Sequence, residues 1–149
     1  MDVFAGSENV EVKRVNDPSR DAPGDVVVRR GGAFERCFEV RDKPVSREDL
    51  YHFVTRVAES GGGDAIMVAV SANQGDVPVE EVCRWGYERG VSLSVFFTWD
   101  EVVSQALLWS ATPALEAANM AAELIRARLV LLEVEPASID GWIFEFDLE

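Results

Sequence analysis

Six consecutive apolar residues, AIMVAV at positions 65–70, constrain this chain more than any other feature. A strand with one face in water alternates apolar and polar side chains. A strand that is apolar throughout has both faces covered, as in sheets built by parallel crossovers. The flanking sequence supplies such a crossover. Leu50, Phe53, Val54, Val57 and Ala58 recur at i, i+3, i+4, i+7 and i+8, the spacing of an amphipathic helix. Ser46 with Asp49 three residues on has the form of a capping box at its start, and Gly61-Gly62-Gly63 ends it.

The alternation continues. Val79, Val82, Cys83 and Gly86 give a second helical stripe ending near Gly90, and residues 91–97 (VSLSVFF) a second buried strand. Thr98 caps a third helix carrying Val102, Val103, Ala106 and Leu107. Leu115, Ala118, Ala122, Ile125, Leu129 and Leu132 mark a fourth, long and alanine-rich. WIFEF at 142–146 reads either as a terminal strand or as a tail packed on the core. Ahead of the first helix, residues 10–15 form a short strand and residues 16–24 (NDPSRDAPG) a loop. Residues 25–29 and 34–41 form two strands around a Gly-Gly turn. The order β–ββ–α–β–α–β–α–α predicts an α/β fold with a mixed central β-sheet flanked by helices. At 149 residues, 48% of them hydrophobic, a single domain is expected. Its core covers about 10–97 and a helical C-terminal extension about 98–149.

Several function classes drop out. No apolar run reaches the roughly 18 residues of a membrane span, and the first residues do not read as a signal peptide. Cys37 and Cys83 are far apart and form no CxxC, so a cytoplasmic protein without a disulfide scaffold is expected. His52 is the sole histidine, which excludes sites built on two. Residues 1–56 hold ten Lys+Arg against eleven Asp+Glu, a difference of −1. Residues 57–149 hold four against sixteen, a difference of −12. An anionic ligand therefore belongs with the first third of the chain.

That third carries the informative spacing. Pro23-Gly24-Asp25 opens one strand, and Phe38-Glu39-Val40-Arg41-Asp42-Lys43 lies in the next. Alternation along a strand puts Glu39, Arg41 and Lys43 on one face. A three-residue loop, Gly31-Gly32-Ala33, would pair Arg30 with Phe34, Val27 with Cys37 and Asp25 with Glu39. A two-residue loop would throw the two carboxylates onto opposite faces. Facing carboxylates need a compensating cation, and their oxygens suit Mg²⁺. A phosphodiesterase site follows from this arrangement.

These residues resemble the PD-(D/E)xK nuclease superfamily. EVRDKPVSREDL, followed by a helix and an apolar strand, is most similar to the SacI-type restriction endonucleases over roughly residues 10–97. The resemblance implies a restriction-endonuclease-like core and a Mg²⁺-dependent DNA endonuclease. It makes Asp25 and Glu39 metal ligands and expects a lysine two residues after the glutamate. Arg41 stands there, with Lys43 on the same face as a second candidate cation. Arg29, Arg30, Arg36 and Arg47 are candidate DNA contacts. Gln74 is a candidate for orienting water or phosphate, and Glu8 or Glu11 for a third carboxylate. A homodimer or larger complex through the C-terminal helix would suit an enzyme that cuts both strands. The alternative is a catalytically inactive nuclease-fold module that acts as a protein-interaction or partner-dependent subunit. A small-molecule enzyme on a mixed α/β sheet is a further reading, without a Gly-rich phosphate motif to support it.

Overall fold

A computed structural model of the chain describes residues 9–12, 22–131 and 135–138. Glu8, residues 13–21 of the predicted first strand and loop, Leu132 and the WIFEF segment lie outside the described residues. The chain forms two compact units, Met1–Ala106 and Leu107–Glu149.

The first unit is built on a sheet of five strands: β1 (Val10–Val12), β2 (Val26–Arg30), β3 (Ala33–Arg41), β4 (Asp64–Ala69) and β5 (Ser92–Phe96). They lie side by side in chain order. β1, β2 and β3 pair antiparallel, whereas β3, β4 and β5 pair parallel. Helix α1 (Arg47–Glu59) joins β3 to β4, and α2 (Val79–Tyr87) joins β4 to β5. After β5 come α3 (Trp99–Trp109) and α4 (Ala114–Leu131). This is the mixed α/β sheet flanked by helices that the sequence predicts, and it is compatible with a restriction-endonuclease-like core. Among the described residues, no helix is long and apolar enough to cross a membrane.

β4 is buried from Ala65 to Ala69, so both faces of the sheet are covered there. On one face Ala65, Met67, Cys37 and Val27 pack with Leu50, Phe53, Val54 and Val57 of α1 and Val82 of α2. Each such large aliphatic or aromatic side chain contributes about 1.5–3 kcal/mol on burial. On the other face Val28, Phe38, Ile66 and Val68 are also buried. Burial pushes the Cys37 thiol up to about 11, with the Asp64 charge as a lesser cause, so Cys37 is a core residue and not a nucleophile.

The capping box forms at the start of α1. Ser46 Oγ accepts the Asp49 N–H at 3.2 Å, and Asp49 Oδ2 accepts the Ser46 N–H at 2.9 Å. The Ser46 hydroxyl also donates to Asp49 Oδ2 at 2.7 Å. Hydrogen bonds from the Ser46 hydroxyl and then its amide hold the Asp49 carboxyl below its ordinary value, with smaller help from Arg41 and Lys43.

The hairpin corrects one expectation. Its turn is Gly31-Gly32 alone, with Arg30 paired to Ala33. Both glycines have positive φ, 59° and 86°, as a two-residue turn matched to strand twist requires. A tight turn by itself would have moved the register by one. An irregularity follows at once: Arg29 pairs with Phe34 but Val28 pairs with Arg36, leaving Glu35 as an extra residue. This bulge restores the pairing of Val27 with Cys37 and Val26 with Phe38. The regular pairing ends at Val26 and Phe38 and does not extend to Asp25 and Glu39.

Beyond Val26 the β2 backbone approaches β3 very closely. The Asp25 N–H donates to the Phe38 carbonyl at 2.7 Å. A Cβ on Gly24 would lie 2.4 Å from that same oxygen. Gly24→Ala therefore has to push the backbone off β3. We expect a loss of about 2 kcal/mol in urea denaturation, in the range of overpacking changes. Ser46→Ala should cost about 1 kcal/mol near neutral pH. Asp49 has a lowered folded pKa, so its contribution is present above the ordinary carboxylate value of 3.8 and is lost as pH falls through the folded value. The stability gap between Ser46→Ala and the unmodified protein should accordingly narrow under acid, which pH-dependent denaturation will read.

Candidate active site

Among the described residues, Glu39 is the charged residue of the buried interior, with 6% of its surface exposed. It sits on β3, the strand where the sheet changes from antiparallel to parallel pairing, near that strand's C-terminal end. Its face is the one packed by α1, since it neighbours Met67 on β4 and shares a side with Cys37. A buried carboxylate is costly unless paired and hydrogen-bonded. Two arginines do both. Arg41 donates to Glu39 Oε1 from Nε at 3.1 Å and from Nη2 at 2.7 Å. Arg56 donates from Nη2 to Oε2 at 3.0 Å.

Asp25 stands at the entrance to β2. Its Oδ2 accepts the Val40 N–H at 2.9 Å, so its side chain takes the β3 donor next after the Phe38 carbonyl that its own N–H bonds. Asp25 and Glu39 thus flank the same stretch of β3. Arg41 extends the cluster outward, with Nη1 4.0 Å from Asp49 Oδ1. Lys43 is exposed just beyond the strand, and its charge is felt at Asp49.

The remaining candidates are placed elsewhere or engaged otherwise. Arg29 grips Glu11 through two bonds, at 2.8 and 3.2 Å, and lies 4.0 Å over the Phe34 ring. Arg30 pairs with Glu35 at 3.1 Å and Arg36 with Asp64 at 3.5 Å. Arg29 and Arg30 belong to the hairpin end of the sheet. Five to six residues separate that turn from Asp25 and Glu39, roughly 17–20 Å of strand. Arg36 faces the start of β4, on the turn side of Glu39. Arg47, by contrast, opens α1 at the Glu39 end and bonds Glu81 of α2, which also accepts the Tyr51 hydroxyl at 3.0 Å. The Gln74 carboxamide is taken up by the backbone: Oε1 accepts the Val45 N–H at 2.8 Å, and Nε2 donates to the carbonyls of Val45 and Gly75 at 3.0 and 2.9 Å. It fastens the loop after β4 to the segment entering α1.

Arg56 is the partner of Glu39 that the sequence reading missed. Its signal was present. A glutamate inside an apolar strand demands a cation, and Arg56 lies between Phe53 and Val57 on the helix that must cover that strand. Its guanidinium carbon is 5.7 Å from the centre of the Phe53 ring, so the stem crosses the edge of the core to reach Glu39.

A divalent cation can be weighed against this donor set. Oxygen ligands from two carboxylates suit Mg²⁺ in kind. Both Glu39 oxygens, however, already accept guanidinium N–H groups, and Asp25, Glu39, Arg41 and Arg56 sum to zero formal charge. Among the described residues, no group of three or more His, Cys, Asp or Glu is placed to hold a metal. As arranged, the cluster does not fit a divalent ion.

No family model matches the chain. It is 30% identical over 134 residues to the type II restriction enzyme SacI of Streptomyces achromogenes. The match covers 87% of this chain but 37% of that enzyme's length. It supports a restriction-endonuclease-like relationship, in line with the fold.

Glu39→Ala leaves two guanidinium groups facing each other across a vacated pocket. Breaking a buried pair costs more than the pair contributes, because the remaining charge is stranded. With Arg41 and Arg56 only partly buried, the expected loss is about 2 kcal/mol, measured by urea denaturation.

Proposed function

We propose that this chain is the nuclease-fold domain of a restriction-type DNA endonuclease, with its active site at Asp25 and Glu39 and the helical segment over about 98–149 as an extension. One observation carries the reading. A carboxylate buried on the central strand and gripped by arginine, with Asp25 bonded to the backbone of the next residue, lies in a chain similar over most of its length to a restriction enzyme.

Phosphodiester hydrolysis asks this site for charge stabilisation and for an anchor on phosphate. Guanidinium groups bind phosphate through paired N–H donors. Arg41 and Arg56 are therefore candidate ligands for the scissile phosphate and its neighbour, with Lys43 and Arg47 as cations at the same end of the sheet. Phosphate arriving there competes with Glu39 for the same donors. As it draws them off, the Glu39 carboxylate is released toward the reaction. The resemblance brings an expectation of a divalent cation, Mg²⁺ on donor chemistry, and such an ion would require that release first. Cutting both strands takes two sites, so a homodimer is part of the reading. The exposed Leu115, Leu124, Ile125 and Val130 of α4 offer apolar surface for it.

The closed Glu39 cluster also favours a second reading, a non-catalytic nuclease-fold module working within a larger complex. A plasmid-nicking assay separates the two. The nuclease reading expects nicking with Mg²⁺ or Mn²⁺, none in EDTA, and a loss of about 100-fold or more in Glu39→Ala. Nicking that survives Glu39→Ala unchanged overturns the site at Glu39, and absence of nicking under every metal condition leaves the module as the better account.

A further inference from the structure

We infer that Arg56 is a built-in cation that holds the metal side of Glu39, so that the free protein excludes divalent ions until that guanidinium leaves. The inference rests on the active site being at Glu39. Three observations carry it. Glu39 Oε1 is taken by both donors of Arg41, whereas Oε2 has the single Arg56 contact at 3.0 Å. Oε2 is thus the oxygen a second cation would have to use. Arg56 comes from a helix, outside the spacing that defines the acidic pair, so its charge is an addition to that pattern. Its side chain is also 43% exposed, against 8% for Glu39, so it has solvent to withdraw into. The strand pattern and the helix surface therefore make opposite electrostatic demands on one oxygen. With Arg56 in place the cluster is neutral. Without it the cluster carries one net negative charge and an open carboxylate oxygen.

The test is binding of Mn²⁺ alone to the free protein, followed by electron paramagnetic resonance. Arg56→Gln should bind Mn²⁺ at one site at least about tenfold more tightly than the unmodified protein, since one unit of repulsion at contact range is removed. Glu39→Gln added to Arg56→Gln should abolish that gain. Arg56→Lys keeps the charge and should bind no more tightly than the unmodified protein. If Arg56→Gln is unfolded alone, Mn²⁺ should restore its circular dichroism, because the ion supplies the missing charge. The inference is overturned if the unmodified protein already binds Mn²⁺ at Glu39 with the affinity of Arg56→Gln. It is equally overturned if the variant gains nothing, or if an unfolded variant is not rescued. The same preparations can be offered plasmid DNA. Tight Mn²⁺ binding without nicking would count against the nuclease reading while leaving the role of Arg56 intact.

Discussion

A carboxylate inside an apolar sheet has to be neutralised, and the local architecture around Glu39 follows from that demand. β3 carries Glu39 into the interior with Arg41 two residues later, on the same side and within reach of Oε1. α1 must then run so that its last turn delivers Arg56 to Oε2. The cap that starts the helix is tied to the same network, because Asp49 is shared between Ser46 and the fringe of Arg41. Strand, helix start and helix end therefore meet at one buried charge. In the low-dielectric interior, leaving any member without its partner is penalised more heavily than the same loss at the surface.

Much of this was legible in the sequence because it rests on short-range rules. AIMVAV reads as a strand covered on both sides, the serine–aspartate spacing as a helix start, and the glycine run as a helix end, and the structure has all three. The register of Val27 with Cys37 was reached by a wrong route. The turn was read as three residues, whereas two glycines with positive φ close it and Glu35 bulges. Counting residues cannot separate those two solutions, since each inserts one extra residue between the same pairs. Arg56 was missed for a different reason. The demand of Glu39 for a cation was legible, but its partner lies seventeen residues away, and the packing of α1 on the sheet decides which arginine meets it.

The cations follow a similar logic. A charge count picks out the first third of the chain as its basic part, yet Arg29, Arg30 and Arg36 each meet an acid at the hairpin side of the sheet. Exposed pairs of this kind contribute little to stability, about 0–1 kcal/mol. They do remove the positive potential that a bare arginine would offer to phosphate. Arg41 and Arg56 are likewise paired, with Glu39, and Arg47 with Glu81, but these and the exposed Lys43 lie at the Glu39 end, where the proposed chemistry lies.

The bulge at Glu35 has a consequence for how such a chain can vary. It places the spare residue of the hairpin between the turn and the acidic pair, so the two ends of the β2–β3 ribbon are not rigidly counted against each other. A relative that lengthens its turn by one residue can lose the bulge and keep Val27 opposite Cys37. One that shortens the ribbon by a residue without that slack would turn one of these two core side chains to the opposite face. The hairpin tip is thus free to drift in length and composition, while the residue count is held strictly only on the far side of Val28.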